Sequence, residues 1–189
     1  MVKRNKIVFL DRDGVLLLPR IINNKSYAVN ELSKMKVYSD SYWALYKFFS
    51  NGFKVIVVTN QPDSQNNLDV SKQIFQIHFF LLKSLNIDLI LCCPHKSSLN
   101  CMCRKPGTLM LEQGLQIFNA DSSTSWMIGD QASDIVAGNK LGLKTIKINR
   151  GWELNESLSN TPDFRCVNLF EAADIINQYS SESLVRNKF

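Results

Sequence analysis

A chain of 189 residues, 45% hydrophobic and 21% charged, has the size and composition of one globular domain with a substantial core. Its net charge of +5 favours anionic ligands, but the Lys and Arg are scattered, with no basic block and no basic–aromatic interleaving, which argues against a nucleic-acid binder. No apolar run is long enough to span a membrane, and the basic start Met1 to Lys6 precedes only four apolar residues, far short of a secretory segment. The expectation is a cytoplasmic monomer, with residues 1–180 as a single domain and 181–189 as a flexible tail.

The elements alternate in type along the chain. Ile7 to Leu10 is a short apolar run that reads as a buried parallel strand. It ends in Asp11-Arg12-Asp13-Gly14. Leu16 to Asp40 is polar and irregular, with Pro19 and an Asn23-Asn24 turn signal, and is long for a structureless connection. Tyr42 to Ser50 carries Trp43, Tyr46 and Phe49 at helical spacing, stopped by Asn51-Gly52. Val55 to Val58 is a second strand, closing on Thr59-Asn60-Gln61. A helix from Val70 to Leu85 follows a polar loop, and Ile87 to Cys92 is the third strand. Cys93 to Pro106 is a loop holding most of the cysteines. Leu109 to Phe118 is a helix, Trp126 to Ile128 a strand ending at Gly129-Asp130, Ala132 to Leu141 a helix and Thr145 to Ile148 a strand. Residues 166–168 form a last short strand and Leu169 to Tyr179 a closing helix. This alternation predicts an α/β fold with a doubly wound parallel sheet.

In such sheets ligands bind off the carboxyl ends of the strands. Asp11 and Asp13 stand at one such end, Thr59 and Asn60 at another, Asp130 at a third, with Asp134 one helical turn further on. Taken singly each has an ordinary reading: a strand-end turn, a cap, an acidic helix start. Together with Lys105 they make a phosphoryl-transfer site. Two close carboxylates call for a cation, and hard oxygen ligands beside a phosphate suit Mg²⁺. In this reading Asp11 is the nucleophile and Asp13 protonates the leaving oxygen and then activates water. Asp11, the backbone carbonyl of Asp13 and Asp130 hold Mg²⁺, with Asp134 as an outer partner. Thr59 binds phosphate oxygens, and Lys105 offsets the charge that develops in transfer.

Four segments, "FLDRDGV", "VVTNQ", "CRKP" and "MIGDQASD", occur in this order between residues 6 and 150. In them the chain resembles the haloacid dehalogenase superfamily, and the Asp-x-Asp pair resembles its phosphatases rather than its dehalogenases. The resemblance implies a Rossmann-like core and an aspartyl-phosphate intermediate.

Cys93, His95, Cys101 and Cys103 put four soft ligands within eleven residues, a set suited to structural Zn²⁺. The alternative is a group of buried thiols with an incidental histidine, because neither C-x-H nor C-x-C is common zinc-finger spacing. Cys92 and Cys166 read as core thiols, and His78 as a core or surface histidine. The loop runs directly into Arg104-Lys105-Pro106, so zinc would stiffen the segment that presents the lysine.

A C-x-H…C-x-C loop entering C-R-K-P is similar to D-glycero-D-manno-heptose 1,7-bisphosphate 7-phosphatases and to histidinol-phosphatases, both capless subgroups. That similarity implies Arg104 at the substrate and Asn60 in the pocket of the second motif. Three positions depart from the heptose pattern. Pro62 to Asn67 lacks the usual arginine and glycines, Leu109 stands where a glycine is usual, and Gln131 replaces a common Lys or Arg. The expected substrate is a small sugar phosphate, foremost the heptose bisphosphate losing its 7-phosphate. The other readings are a histidinol-phosphatase, a polynucleotide 3′-phosphatase and a non-catalytic zinc-stabilised interaction module.

Overall fold

β-branched and aromatic residues make the strands of one sheet. In the computed structural model, which describes residues 4–23, 25–151 and 161–186, these are β1 (Lys6–Leu10), β4 (Phe53–Asn60), β5 (Leu89–Cys93), β6 (Trp126–Gly129), β7 (Lys144–Ile148) and β8 (Phe164–Cys166). They lie in the order β5-β4-β1-β6-β7-β8, and every neighbouring pair is parallel. Parallel strands need crossovers, which α1 (Ser39–Ser50), α2 (Leu68–Ser84), α3 (Leu109–Ile117) and α4 (Ala132–Lys140) supply, with α5 (Leu169–Arg186) closing the chain. The chain builds outward from β1 on one side and then returns to build on the other. The switch point therefore falls beside the carboxyl end of β1.

Ile7, Val8, Phe9 and Leu10 are wholly buried because both faces of the sheet are covered. Val8 and Leu10 join a core with α1, α2 and α5, whereas Ile7 and Phe9 join a second core with α3 and α4. Gly114 of α3 lies so close to Phe9 that a Cβ there would approach its ring to 2.5 Å.

Three sequence expectations are corrected, and α1 shows which of its faces is buried. Residues 16–40 are not an irregular loop. They hold an antiparallel hairpin, β2 (Arg20–Ile22) paired with β3 (Lys25–Tyr27), and a 3₁₀ turn at Leu32–Lys34. Leu16, Leu17 and Val29 within this stretch are buried, and their isolated positions carry no periodicity to read. In α1 the buried face is Ser41, Ala44, Leu45 and Phe48, while Trp43, Tyr46 and Phe49 are exposed. A helix with apolar residues on two faces satisfies the 3.6-residue period twice, and the smaller side chains of one set allow the closer approach to the sheet. Cys92 is exposed at the edge of β5 rather than in the core. Finally, α5 runs on to Arg186, past the helix end expected at Tyr179. The basic start Met1 to Lys3 and the tail beyond Arg186 lie outside the described residues. Cys166 is buried as expected, its thiol bonded to the Asn168 carbonyl at 3.3 Å.

Candidate active site

The carboxyl ends of β1, β4 and β6 open onto one cavity of about 420 Å³, lined on the sheet side by Asp11, Asp13, Thr59, Asn60, Lys105, Asp130 and Asp134. The β2–β3 hairpin covers another side with Ser26 and Tyr27, and Pro62, Asp63 and Arg104 complete the wall.

Lys105 is the electrostatic centre. Only 3% exposed, its ammonium lies 2.8 Å from Asp11 Oδ1 and 2.7 Å from Asp134 Oδ1 and donates to the Val58 carbonyl at 2.7 Å. Its backbone is fixed as well. Lys105 N donates to Asn60 Oδ1 at 3.1 Å, and Asn60 Nδ2 donates to the Lys105 carbonyl at 3.2 Å. Asn60 thus acts as a two-point clamp across 45 residues of sequence, a role its position in the motif did not reveal. Replacing Asn60 with alanine is expected to lower kcat about 10–100-fold, the usual effect of losing a supporting hydrogen-bond partner. Steady-state phosphate-release kinetics check it, and a change within about twofold would remove the clamp from the account.

Oxygens of Asp11, Asp130 and Asp134 lie within 4.8 Å of one another, all buried. Gly14, at φ +86°, permits this crowding: a Cβ there would sit 2.3 Å from Asp130 Oδ2. Three carboxylates against one lysine leave excess negative charge in a dry site. Burial, opposed by Lys105 and reinforced by Asp134 and Asp130, pushes Asp11 up to about 8. A cation in this cluster would relieve the repulsion and keep Asp11 ionised. An all-oxygen donor set open to a cavity fits Mg²⁺.

The carboxylate of Asp13 faces away from that cluster. Its Oδ1 accepts from Arg12 Nη2 at 3.3 Å and Val29 N at 2.8 Å, and its Oδ2 from Arg12 Nε at 2.9 Å and Gln61 Nε2 at 3.0 Å. This suits the expectation that Asp13 offers a metal its backbone rather than its side chain. Gln61 also donates to Thr59 Oγ1 at 2.8 Å, and its backbone N–H to the Cys93 carbonyl at 2.7 Å. Sequence reading missed Arg12 and Gln61. The only signals were a basic residue held between two aspartates and an amide directly after Asn60.

Next to the cavity, Cys93 Sγ, His95 Nδ1, Cys101 Sγ and Cys103 Sγ converge, with neighbouring atoms 3.2–3.6 Å apart. Three thiols and one imidazole in a compact group are a fitting set for Zn²⁺. Hydrogen bonds from the surrounding thiols and the Arg104 backbone prevail over burial and bring Cys101 down to about 7, within reach of the thiolate that a metal requires. Arg104 follows this cluster and donates from Nη1 to the His95 carbonyl at 3.1 Å. Gln131 spans the cavity mouth, donating to Asp130 Oδ2 at 2.9 Å and Ser26 Oγ at 3.1 Å.

In fold and in this arrangement the chain is similar to HAD-like hydrolases. A family profile described as HAD-hydrolase-like matches residues 102–172. The chain is 34% identical over 148 residues to the histidine biosynthesis bifunctional protein HisB of Campylobacter jejuni, an alignment covering 75% of this chain and 41% of that protein. It therefore spans about two fifths of the length of that curated relative. Among solved structures it resembles D,D-heptose 1,7-bisphosphate phosphatase from B. bronchiseptica, complexed with magnesium and phosphate. There the TM-score is 0.72 at 21% identity, covering 92% of this chain and 99% of that one. The Burkholderia thailandensis phosphatase of the same name gives a TM-score of 0.58 at 17% identity, covering 89% and 96%. At these identities the structural likenesses are likenesses of fold.

Proposed function

We propose that the chain is a Mg²⁺-dependent phosphatase that releases phosphate from a small metabolite through an aspartyl-phosphate. The observation that carries this reading is the meeting of Asp11, Asp13, Thr59, Lys105 and the Asp130–Asp134 pair at one sheet edge, around a cavity of metabolite size. Asp11 Oδ attacks phosphorus, and the bond to the ester oxygen breaks as Asp13 gives that oxygen a proton. Asp13 then takes a proton from the water that opens the aspartyl-phosphate. Thr59 and Lys105 hold the phosphoryl oxygens, and Asn60 keeps the lysine in place. Arg104 meets the rest of the substrate. Asp11, Asp130 and the Asp13 carbonyl would hold Mg²⁺, with Asp134 behind them. When bound, the ion screens the phosphate's charge from the attacking carboxylate.

The leading substrate is D-glycero-D-manno-heptose 1,7-bisphosphate, supported by the sequence pattern and by the solved phosphatases of this fold. Histidinol phosphate is the second reading, supported by the HisB relatives and by Asp63 in the cavity wall. A carboxylate there suits an amine better than a second phosphate. A Zn²⁺-stiffened loop and a cytoplasmic setting agree with five cysteines that are all free thiols. Phosphate release from both heptose anomers, histidinol phosphate and a 3′-phosphorylated oligonucleotide tests the reading. A clear preference for the oligonucleotide, or no turnover of any of the four with Mg²⁺ present, would overturn it.

A pH prediction follows from Asp11. Its folded-state pKa is raised, so without divalent cations the folded state binds the extra proton. Stability is then full below about pH 4, the ordinary carboxylate value, and is lost as pH rises towards 8. Saturating Mg²⁺, at about 100 times its Kd, is expected to add about 2.7 kcal/mol and to flatten that slope. Melting curves from pH 5 to 8, with EDTA or Mg²⁺, check this. Identical curves in the two conditions would remove Mg²⁺ from the site.

A further inference from the structure

Arg12 has the largest side chain fully shut from solvent in the described residues, and each of its three guanidinium nitrogens has a partner. Its fork grips both oxygens of Asp13. Nη2 also donates to the Val29 carbonyl at 2.6 Å, and Nη1 lies 3.0 Å from His78 Nε2. A guanidinium has donors only, so His78 Nε2 must accept, and the imidazole is neutral with its proton on Nδ1. An imidazolium would set two cations face to face. Burial, and then the Arg12 charge, push His78 down to about 3, in keeping with that tautomer.

His78 is reached from a different element. It sits on α2, 66 residues from Arg12, one position after the buried Ile77. That core contact fixes the turn of the helix from which the imidazole projects. Of the groups holding the fork, Val29 O belongs to the hairpin stretch and Asp13 is the group being positioned. His78 is the brace supplied by the rigid helical layer.

Building on the phosphatase reading, we propose that His78 is a positioning residue: as a neutral acceptor on α2 it fixes the rotation of the Arg12 fork and so aims the carboxyl of Asp13 at the leaving oxygen. It touches no substrate. Without it, the fork loses one of three anchors and keeps an unpaired donor in a dry site. Asp13 then samples orientations in which proton delivery fails.

The test uses leaving-group dependence. An alkyl phosphate needs a proton on its departing oxygen, whereas p-nitrophenyl phosphate leaves without one. Asp13 orientation therefore enters kcat/KM for the first far more than for the second. Well-placed acid catalysis contributes about 10²–10⁴-fold. His78→Asn, too short to reach Arg12, is expected to lower kcat/KM at least about 30-fold for the alkyl ester. For the aryl ester the expected change is within about threefold, with competitive inhibition by inorganic phosphate unchanged. His78→Gln, whose Oε1 can occupy the Nε2 position, is expected to restore the alkyl rate. Equal losses on both esters, or a Gln variant as slow as the Asn variant, would overturn the assignment. Should the Asn variant not fold, the Gln variant still decides: wild-type selectivity between the two esters supports the brace, and a selective alkyl loss despite the retained acceptor refutes it. Wild-type protein inactive on both esters would instead fell the phosphatase reading, and this inference with it.

Discussion

Asp11→Asn is expected to abolish phosphate release, lowering kcat by at least about 10⁴-fold, as removal of an enzyme's nucleophile does. The change is nearly isosteric, so the fold should survive it. The Arg12 backbone N–H that donates to Asp11 Oδ1 at 2.7 Å can donate equally to an amide oxygen, and Lys105 keeps Asp134 and Val58 O as partners. The substitution also takes one charge out of a crowded acidic cluster, so the metal-free variant should melt no lower than wild type at pH 8. Rate loss with retained or improved stability separates a nucleophile from a structural aspartate. Stopped-flow or discontinuous phosphate assays together with calorimetry supply both numbers. A variant still working within about tenfold of wild type would require a nucleophile elsewhere, since an amide cannot form the acyl phosphate.

Cys101→Ser carries the largest expected effect on stability. Cys93 ends β5, and the other three soft ligands sit on a loop with little regular structure: a single 3₁₀ turn, Ser97–Leu99, lies between the two ligand pairs. Serine is a poor ligand for Zn²⁺, and a three-ligand remnant binds it far more weakly. Zinc measured by mass spectrometry of the metal should fall from about one per chain to a small fraction, and Tm should drop by roughly 5–15 °C. Activity should fall too, though no aspartate has been touched, because Lys105 lies two residues beyond Cys103. Adding Zn²⁺ should recover part of the rate. A variant with full zinc and an unshifted Tm would show that the cysteines hold no structural metal.

The sheet was legible in the sequence because its central strands, β1, β4 and β6, are buried on both faces and carry nearly continuous apolar runs. All six were located to within a few residues, as were the residues at their carboxyl ends. Asp11, Asp13, Thr59, Asn60, Lys105, Asp130 and Asp134 do meet around one cavity, and Cys93, His95, Cys101 and Cys103 around one point. What stayed hidden depends on partners far apart in the chain. The Asn60 clamp on Lys105, the Arg12–His78 contact and the Gln131–Ser26 bridge have no local signature, since each joins elements that only the fold brings together. The hairpin escaped because its strands are three residues each, too short for alternation to stand out. In α1 the helical period was legible in Trp43, Tyr46 and Phe49, which are exposed, while Ala44, Leu45 and Phe48 form the buried face.

The hairpin also bears on how such a chain can change over generations. Among the described residues its fastenings lie away from its tip: Gln131 to Ser26, Arg20 to the Ala28 carbonyl, and Asn30 to Asp63. The tip itself turns at Asn23, with φ +50°, outside the sheet that carries the aspartates. Residues can be inserted or lost there without shifting Asp11 or Asp130, since surface turns tolerate length changes that packed strands do not. Descendants of this chain could therefore come to admit different phosphate esters by redrafting a few residues at that turn, while inheriting the reaction chemistry intact.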